Sequence, residues 1–232
     1  MRCFPTTGES DFLMSVMDAP SPANMLDSGL VEANHRIANN LALVAGLIRF
    51  QAATLPQEPS LPAQDVRGWL QQISLRIDTI GRLHRLLTES DGDATVDLFA
   101  YLREIADAAI FALSMKGQAE ILFDLEPNCV IQAKQATAVG LVIGEAITNA
   151  VKYSHPTGVP GKIAIMSRRI RDHGLVIEVA DDGVGLPEGF DPHRSESTGV
   201  ALMGALANQL SARLSFEQRP IGLSVRLELP SA

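Results

Sequence analysis

Cysteine is scarce in this sequence: Cys3 and Cys129 are the only two among 232 residues. Their placement resembles neither a metal site nor a disulfide framework, which fits a reducing cytoplasm. Basic charge is also short. Lys and Arg number 19 against 27 Asp and Glu, for a formal net charge of -8. An acidic chain gains nothing from a polyphosphate backbone, so general nucleic-acid binding is disfavoured. A single nucleotide is not excluded, because local dipoles and a metal hold it rather than net charge. Long apolar runs are missing too. No stretch reaches the roughly 18 consecutive apolar residues of a membrane span, and Met1 to Asp11 lacks the basic-then-apolar order of a secretion signal. The expectation is a cytoplasmic protein with no membrane span. The hydrophobic fraction of 46% and charged fraction of 20% are ordinary for a soluble globular chain, and the length suits one or two domains.

Three regions follow one another. Residues 1–27 mix Pro, Ser, Thr and Gly and read as a flexible leader. Residues 28–90 carry two helical periodicities. In the first, Leu30, Ile37, Leu41, Val44 and Ile48 fall on one stripe at about 100° per residue. Pro56, Pro59 and Pro62 end it. In the second, Leu70, Ile73, Ile77, Ile80 and Leu87 repeat in the same way, and His84 falls on the apolar register. Two striped helices joined by a Pro-rich link read as a helical hairpin. Pairing with a second copy makes a four-helix bundle, so a homodimer is expected. The pattern changes after Ser90, Asp91, Gly92 and Asp93. Helical segments at about 97–116 and 134–152 alternate with strand-like runs at 121–125, 162–168, 175–180, 214–218 and 223–229. Pro220 and Gly222 mark a hairpin between the last two. Residues 91–232 therefore read as an α+β sandwich, one sheet covered by helices on one face.

Two constellations carry chemistry. His35 lies opposite the first apolar stripe, with Glu32 and Asn39 three and four positions away on its own face. There a carboxylate can take the proton from one ring nitrogen while the other attacks phosphorus, and the amide can orient a water or a phosphoryl oxygen. The second constellation has three parts. Glu145, Asn149 and Lys152 stand at i, i+4 and i+7 and span about 60° of a helical wheel, with Ile143, Ile147 and Ala150 opposite. Such a face suits Mg²⁺ and a polyphosphate: the Asn149 carbonyl ligates the metal, Glu145 holds one of its waters and Lys152 neutralises phosphate. A strand then runs into Asp181, with Gly183 and Gly185 beyond it. A carboxylate at a strand end accepts from an exocyclic amine, and the glycines allow close approach to a flat ligand. Finally Thr198 and Gly199 open an apolar helix whose free N–H groups suit an anion, with Ser197 or Thr198 as its cap. Each part has an ordinary alternative: a solvated helix face, an Asp-Gly turn, a capped helix. Their joint order is far more specific.

These segments resemble a known family. Glu145 to Tyr153, Asp181 to Gly185 and Thr198 to Met203 are similar to the N box and the two glycine boxes of histidine-kinase ATPase domains, a fold shared with the gyrase, chaperone and mismatch-repair ATPases. The His35 segment resembles the subfamily whose phosphoacceptor motif runs His-Arg-x-x-Asn-Asn-Leu, and Arg76 to His84 resembles the end of that subfamily's second helix. The resemblance implies ATP-dependent autophosphorylation of His35 and transfer to an aspartate of a response-regulator receiver domain. It implies Asp181 on the adenine amine and Asn149 on Mg²⁺. Most members of the family also carry an input domain and none is visible here, so either a separate sensor or input protein supplies the signal or this is an isolated core. Two other readings share some of these parts. One is a histidine phosphotransfer protein with a degenerate ATPase domain. The other is a serine kinase of the anti-sigma-factor type, a class without the hairpin.

Overall fold

A computed structural model describes residues 62–89, 95–112, 119–154, 160–170, 174–191 and 197–230, with isolated helical positions between 38 and 53. The leader, Glu32, His35 and Asn39 lie outside the described residues, as does the side chain of His84. By its internal contacts the chain falls into two units, Met1–Gly46 and Leu47–Ala232, and every element below belongs to the second. These elements are α1 (Ala63–Glu89), β1 (Thr95–Asp97), α2 (Leu98–Ala112), β2 (Ala119–Leu125), β3 (Val130–Gln132), α3 (Ala133–Tyr153), β4 (Gly161–Ile170), β5 (Gly174–Asp181), α4 (Thr198–Gln209), β6 (Arg213–Gln218) and β7 (Leu223–Leu229).

The five longer strands form one sheet in the order β2-β4-β5-β7-β6. The β2–β4 pair is parallel and the others are antiparallel. Strand register follows from side-chain alternation. Ile163 and Ile165 on β4 stand opposite Asp181 and Val179 on β5; Val179 and Ile177 stand opposite Val225 and Leu227 on β7. These apolar residues share one face, against which α2, α3 and α4 pack. The other face carries Glu178, Arg226 and Glu228. A one-residue slip of β4 would expose Ile163 and Ile165, at roughly 1.5–3 kcal/mol for each buried aliphatic side chain. The same alternation puts Asp181, two residues beyond Val179, on the helix-facing side.

β1 and β3 were not expected from the sequence. They pair antiparallel, Thr95 to Asp97 with Val130 to Gln132, and three residues each are too short for a period of two to register. Beside them, the buried Tyr101 hydroxyl donates to the Ala136 carbonyl at 2.9 Å and ties α2 to α3. Gly140 makes room for it, since a Cβ there would lie 1.9 Å from the hydroxyl oxygen.

The second apolar stripe is not a single seam. α1 packs on α2 and α3, and the buried ones among its described side chains are Leu75, Arg76, Thr79 and Ile80. Leu70 is 62% exposed and Ile77 41%. The helix has two working faces, one against the α/β layer and one left open. Periodicity alone merges the two, because 73, 76, 77 and 80 are neighbours on one wheel.

Candidate active site

A cleft of about 720 Å³ opens at the end of the sheet beside α3 and the start of α4. Asn149 and Lys152 reach it from α3, Asp181 and Gly185 from the end of β5 and its loop, and Thr198 and Gly199 from α4. Val179, Phe216, Leu223 and Val225 supply apolar wall, a lining suited to a flat aromatic ring with a polar edge.

Asp181 is half-buried. Its Oδ1 accepts from the Gly183 N–H at 2.9 Å and the Leu223 N–H at 3.3 Å, so two backbone donors orient the carboxylate. Asp182 turns the other way, its Oδ1 accepting from the Lys162 N–H at 2.7 Å on β4. The opposed directions expected of adjacent strand residues are realised.

The glycines act through close contacts. Gly183 does not line the cleft; it lets the loop pack on the end of α3, where a Cβ would lie 2.2 Å from the Ser154 carbonyl oxygen. The Val184 N–H donates to that oxygen at 2.9 Å. Gly185 has φ +74° and sits against the Gln218 side chain, whose Oε1 accepts from the Leu186 N–H at 2.8 Å and whose Nε2 donates to the Gly222 carbonyl at 3.2 Å. Gly222 has φ +80°, and a Cβ there would lie 1.8 Å from the Asp181 carbonyl oxygen. The β6–β7 hairpin thus clips the loop in place. Sequence reasoning identified Gly222 only as a turn and missed Gln218, which carries no sequence signal.

At α4 the cap is Ser197, whose Oγ accepts from the Val200 N–H at 3.4 Å. Gly199 brings the start of this helix against α3: a Cβ there would lie 2.9 Å from Glu145 Oε2 and 3.8 Å from Asn149 Oδ1.

Glu145 departs from expectation. The spacing predicts a polar face shared with Asn149 and Lys152, but Glu145 is 2% exposed and paired with Arg76 of α1, Nε to Oε1 at 2.7 Å. Its Oε2 is buried with no hydrogen-bond partner among the described residues. The helical wheel was right about the face and wrong about its exposure, because α1 covers that side. Lys152 feels the same surroundings. Burial holds its ammonium below the usual lysine range, Glu145 opposes that shift and Arg76 adds to it. No cluster of three or more His, Cys, Asp or Glu suited to a metal occurs among the described residues. One buried carboxylate oxygen without a partner and one amide fit a Mg²⁺ ion that brings phosphate oxygens and water as its other ligands.

Residues 32–113 match the family described as histidine kinase, and residues 134–232 match the histidine kinase-, DNA gyrase B- and HSP90-like ATPases. The chain has the two domains of a histidine kinase core. Similar curated proteins include the blue-light-activated histidine kinase 2 of Erythrobacter litoralis, 26% identical over 94% of this chain and 61% of the relative. Sensor histidine kinase PdtaS of Mycobacterium tuberculosis is 29% identical over 88% of this chain and 40% of its own. The kinase core therefore spans less than two thirds of either relative. Among solved structures, the histidine kinase domain of the Erythrobacter litoralis EL346 blue-light activated histidine kinase superposes with a TM-score of 0.65 at 25% identity, covering 91% of this chain and 94% of that one. A helical region followed by an α/β sandwich ATPase is common to both. The fold expected from the resemblance is borne out, and the ATPase family implies ATP binding. No helix among the described residues is long and apolar enough to cross a membrane.

Proposed function

We propose that this core autophosphorylates His35 with ATP and passes the phosphoryl group to an aspartate of a response-regulator receiver domain. The observation that carries the reading is one cleft gathering Asn149, Lys152, Asp181 and the backbone at Gly185 and Gly199. Asp181 accepts the adenine amine, its carboxylate already oriented by two backbone N–H groups. Lys152 and the backbone at the start of α4 meet the phosphates. Asn149 and Glu145 would hold Mg²⁺, which would supply neutralisation of the phosphate charge. A ring nitrogen of His35 forms a bond to the γ-phosphorus as the bond to the bridging oxygen breaks and ADP leaves. Glu32 takes the proton from the other ring nitrogen, and Asn39 orients a phosphoryl oxygen.

Residues 28–90 act as the phosphoacceptor and dimerisation region and 91–232 as the ATP-binding domain. The exposed Leu70 and Ile77 on α1 support pairing with a second copy. The need for ATP and a receiver partner puts the reaction in the cytoplasm. The test is incubation with γ-labelled ATP and Mg²⁺, comparing the natural chain with His35→Gln. Acid-labile, base-stable label that vanishes in the variant is expected, while ATP affinity stays unchanged. Label that persists refutes the assignment of His35, and acid-stable label points to a hydroxyl acceptor.

A further inference from the structure

The Arg76–Glu145 pair joins the region matched by the phosphoacceptor family to the helix that bears Asn149 and Lys152. Both side chains are 2% exposed. Arg76 engages Oε1 through Nε. The other oxygen, Oε2, is buried without a hydrogen-bond partner among the described residues and lies against Gly199, where a Cβ would be 2.9 Å from it and 3.8 Å from Asn149 Oδ1. A buried carboxylate oxygen left bare is costly, so its orientation calls for a ligand on the α4 side. The same side of α1 carries Gln72 and Trp69, four and seven residues before Arg76, and both line the cleft. One helical face of α1 is thus built into the wall of the site.

We propose that Arg76 is a positioning residue for the metal-nucleotide site. It fixes Glu145 through Oε1 so that Oε2 serves the water shell of the divalent cation that accompanies the nucleotide. The site is complete only while α1 is packed on α3, and the position of α1 sets the affinity for the metal-nucleotide complex. A slide of α1 by one turn, about 5.4 Å, would withdraw the guanidinium. This inference rests on the nucleotide reading above.

Calorimetry with a non-hydrolysable ATP analogue at stepped Mg²⁺ concentrations tests it. Arg76→Gln should raise the Mg²⁺ concentration for half-maximal binding by about tenfold or more, leave binding without Mg²⁺ unchanged, and be partly rescued by Arg76→Lys. Because the two residues act as a unit, Arg76→Gln with Glu145→Gln should be no worse than either alone. Trp69 is the only tryptophan in the sequence, and its emission should shift when the analogue binds with Mg²⁺. An unchanged Mg²⁺ requirement in Arg76→Gln, or additive losses in the double variant, overturns the proposal. If Arg76→Gln does not fold, the double variant replaces the ion pair with two amides, and a natural Mg²⁺ requirement there overturns it equally. A natural chain that binds no analogue at any Mg²⁺ concentration sinks the proposed function and this inference together. That is distinct from failure of the Arg76 role alone, in which natural and variant chains bind alike.

Discussion

Replacing Asp181 by Asn, with Asp182→Asn beside it, separates two adjacent acids by direction alone. Asp181 lines the cleft, and its Oδ1 already accepts from Gly183 and Leu223. An asparagine there keeps those two bonds with its carbonyl oxygen and turns an NH₂ group toward the ligand. The adenine amine then meets a donor where it had an acceptor. Loss of a hydrogen bond to a charged group costs roughly 1.5–3 kcal/mol, or about ten- to a hundredfold in affinity. Asp181 is half-buried, so solvent screening puts the loss toward the tenfold end. Guanine presents a carbonyl at that edge, so GTP should gain relative to ATP. Asp182→Asn keeps its bond to the Lys162 N–H on β4 and points away from the cleft, so ATP affinity should change less than about twofold. Calorimetry with non-hydrolysable ATP and GTP analogues on both variants is the assay. A larger loss in Asp182→Asn, or an unaltered preference in Asp181→Asn, would refute the strand-direction argument.

Three further outcomes are expected. Asn149→Ala should abolish Mg²⁺-dependent nucleotide binding with a native circular dichroism spectrum, because the apolar face of α3 is untouched; binding at natural strength would remove that face from the site. Gly222→Ala should lower both melting temperature and ATP affinity, since it forces a Cβ onto Asp181 at φ +80°, whereas Gly204→Ala on α4, where nothing lies within 4 Å, should stabilise by about 1 kcal/mol; thermal melts of the pair check the contrast. Because burial lowers the Lys152 pKa, its ammonium is lost as pH rises, before the ordinary lysine range near about 10.4 is reached. ATP affinity should therefore weaken on the alkaline side in the natural chain and hold in Lys152→Arg, which stays charged; identical pH profiles would mean that Lys152 does not meet the phosphates.

Much of the α/β layer was legible because its signals are local. Period two located β4, β5 and β7 and the direction of Asp181. Period 3.6 put Asn149 and Lys152 on one face, and Pro220 and Gly222 announced the last hairpin. What escaped depends on contacts between distant segments. Arg76 lies 69 residues before Glu145, and nothing in a helical wheel tells which side another helix will cover. The exposed polar face became a buried ion pair for that reason. Likewise Gln218 reads as an ordinary strand-end residue until the loop after β5 folds against it.

The clip between Asp181 and Leu223, 42 residues apart, also bears on timing. The loop after β5 is held by the hairpin of β6 and β7, so a nascent chain whose synthesis has not passed Leu229 has every acid, amide and lysine of the cleft and no finished cleft. Contacts of such high sequence separation form late and slowly. A fragment that stops short of the hairpin should therefore lack a formed cleft, whatever other cleft residues it carries.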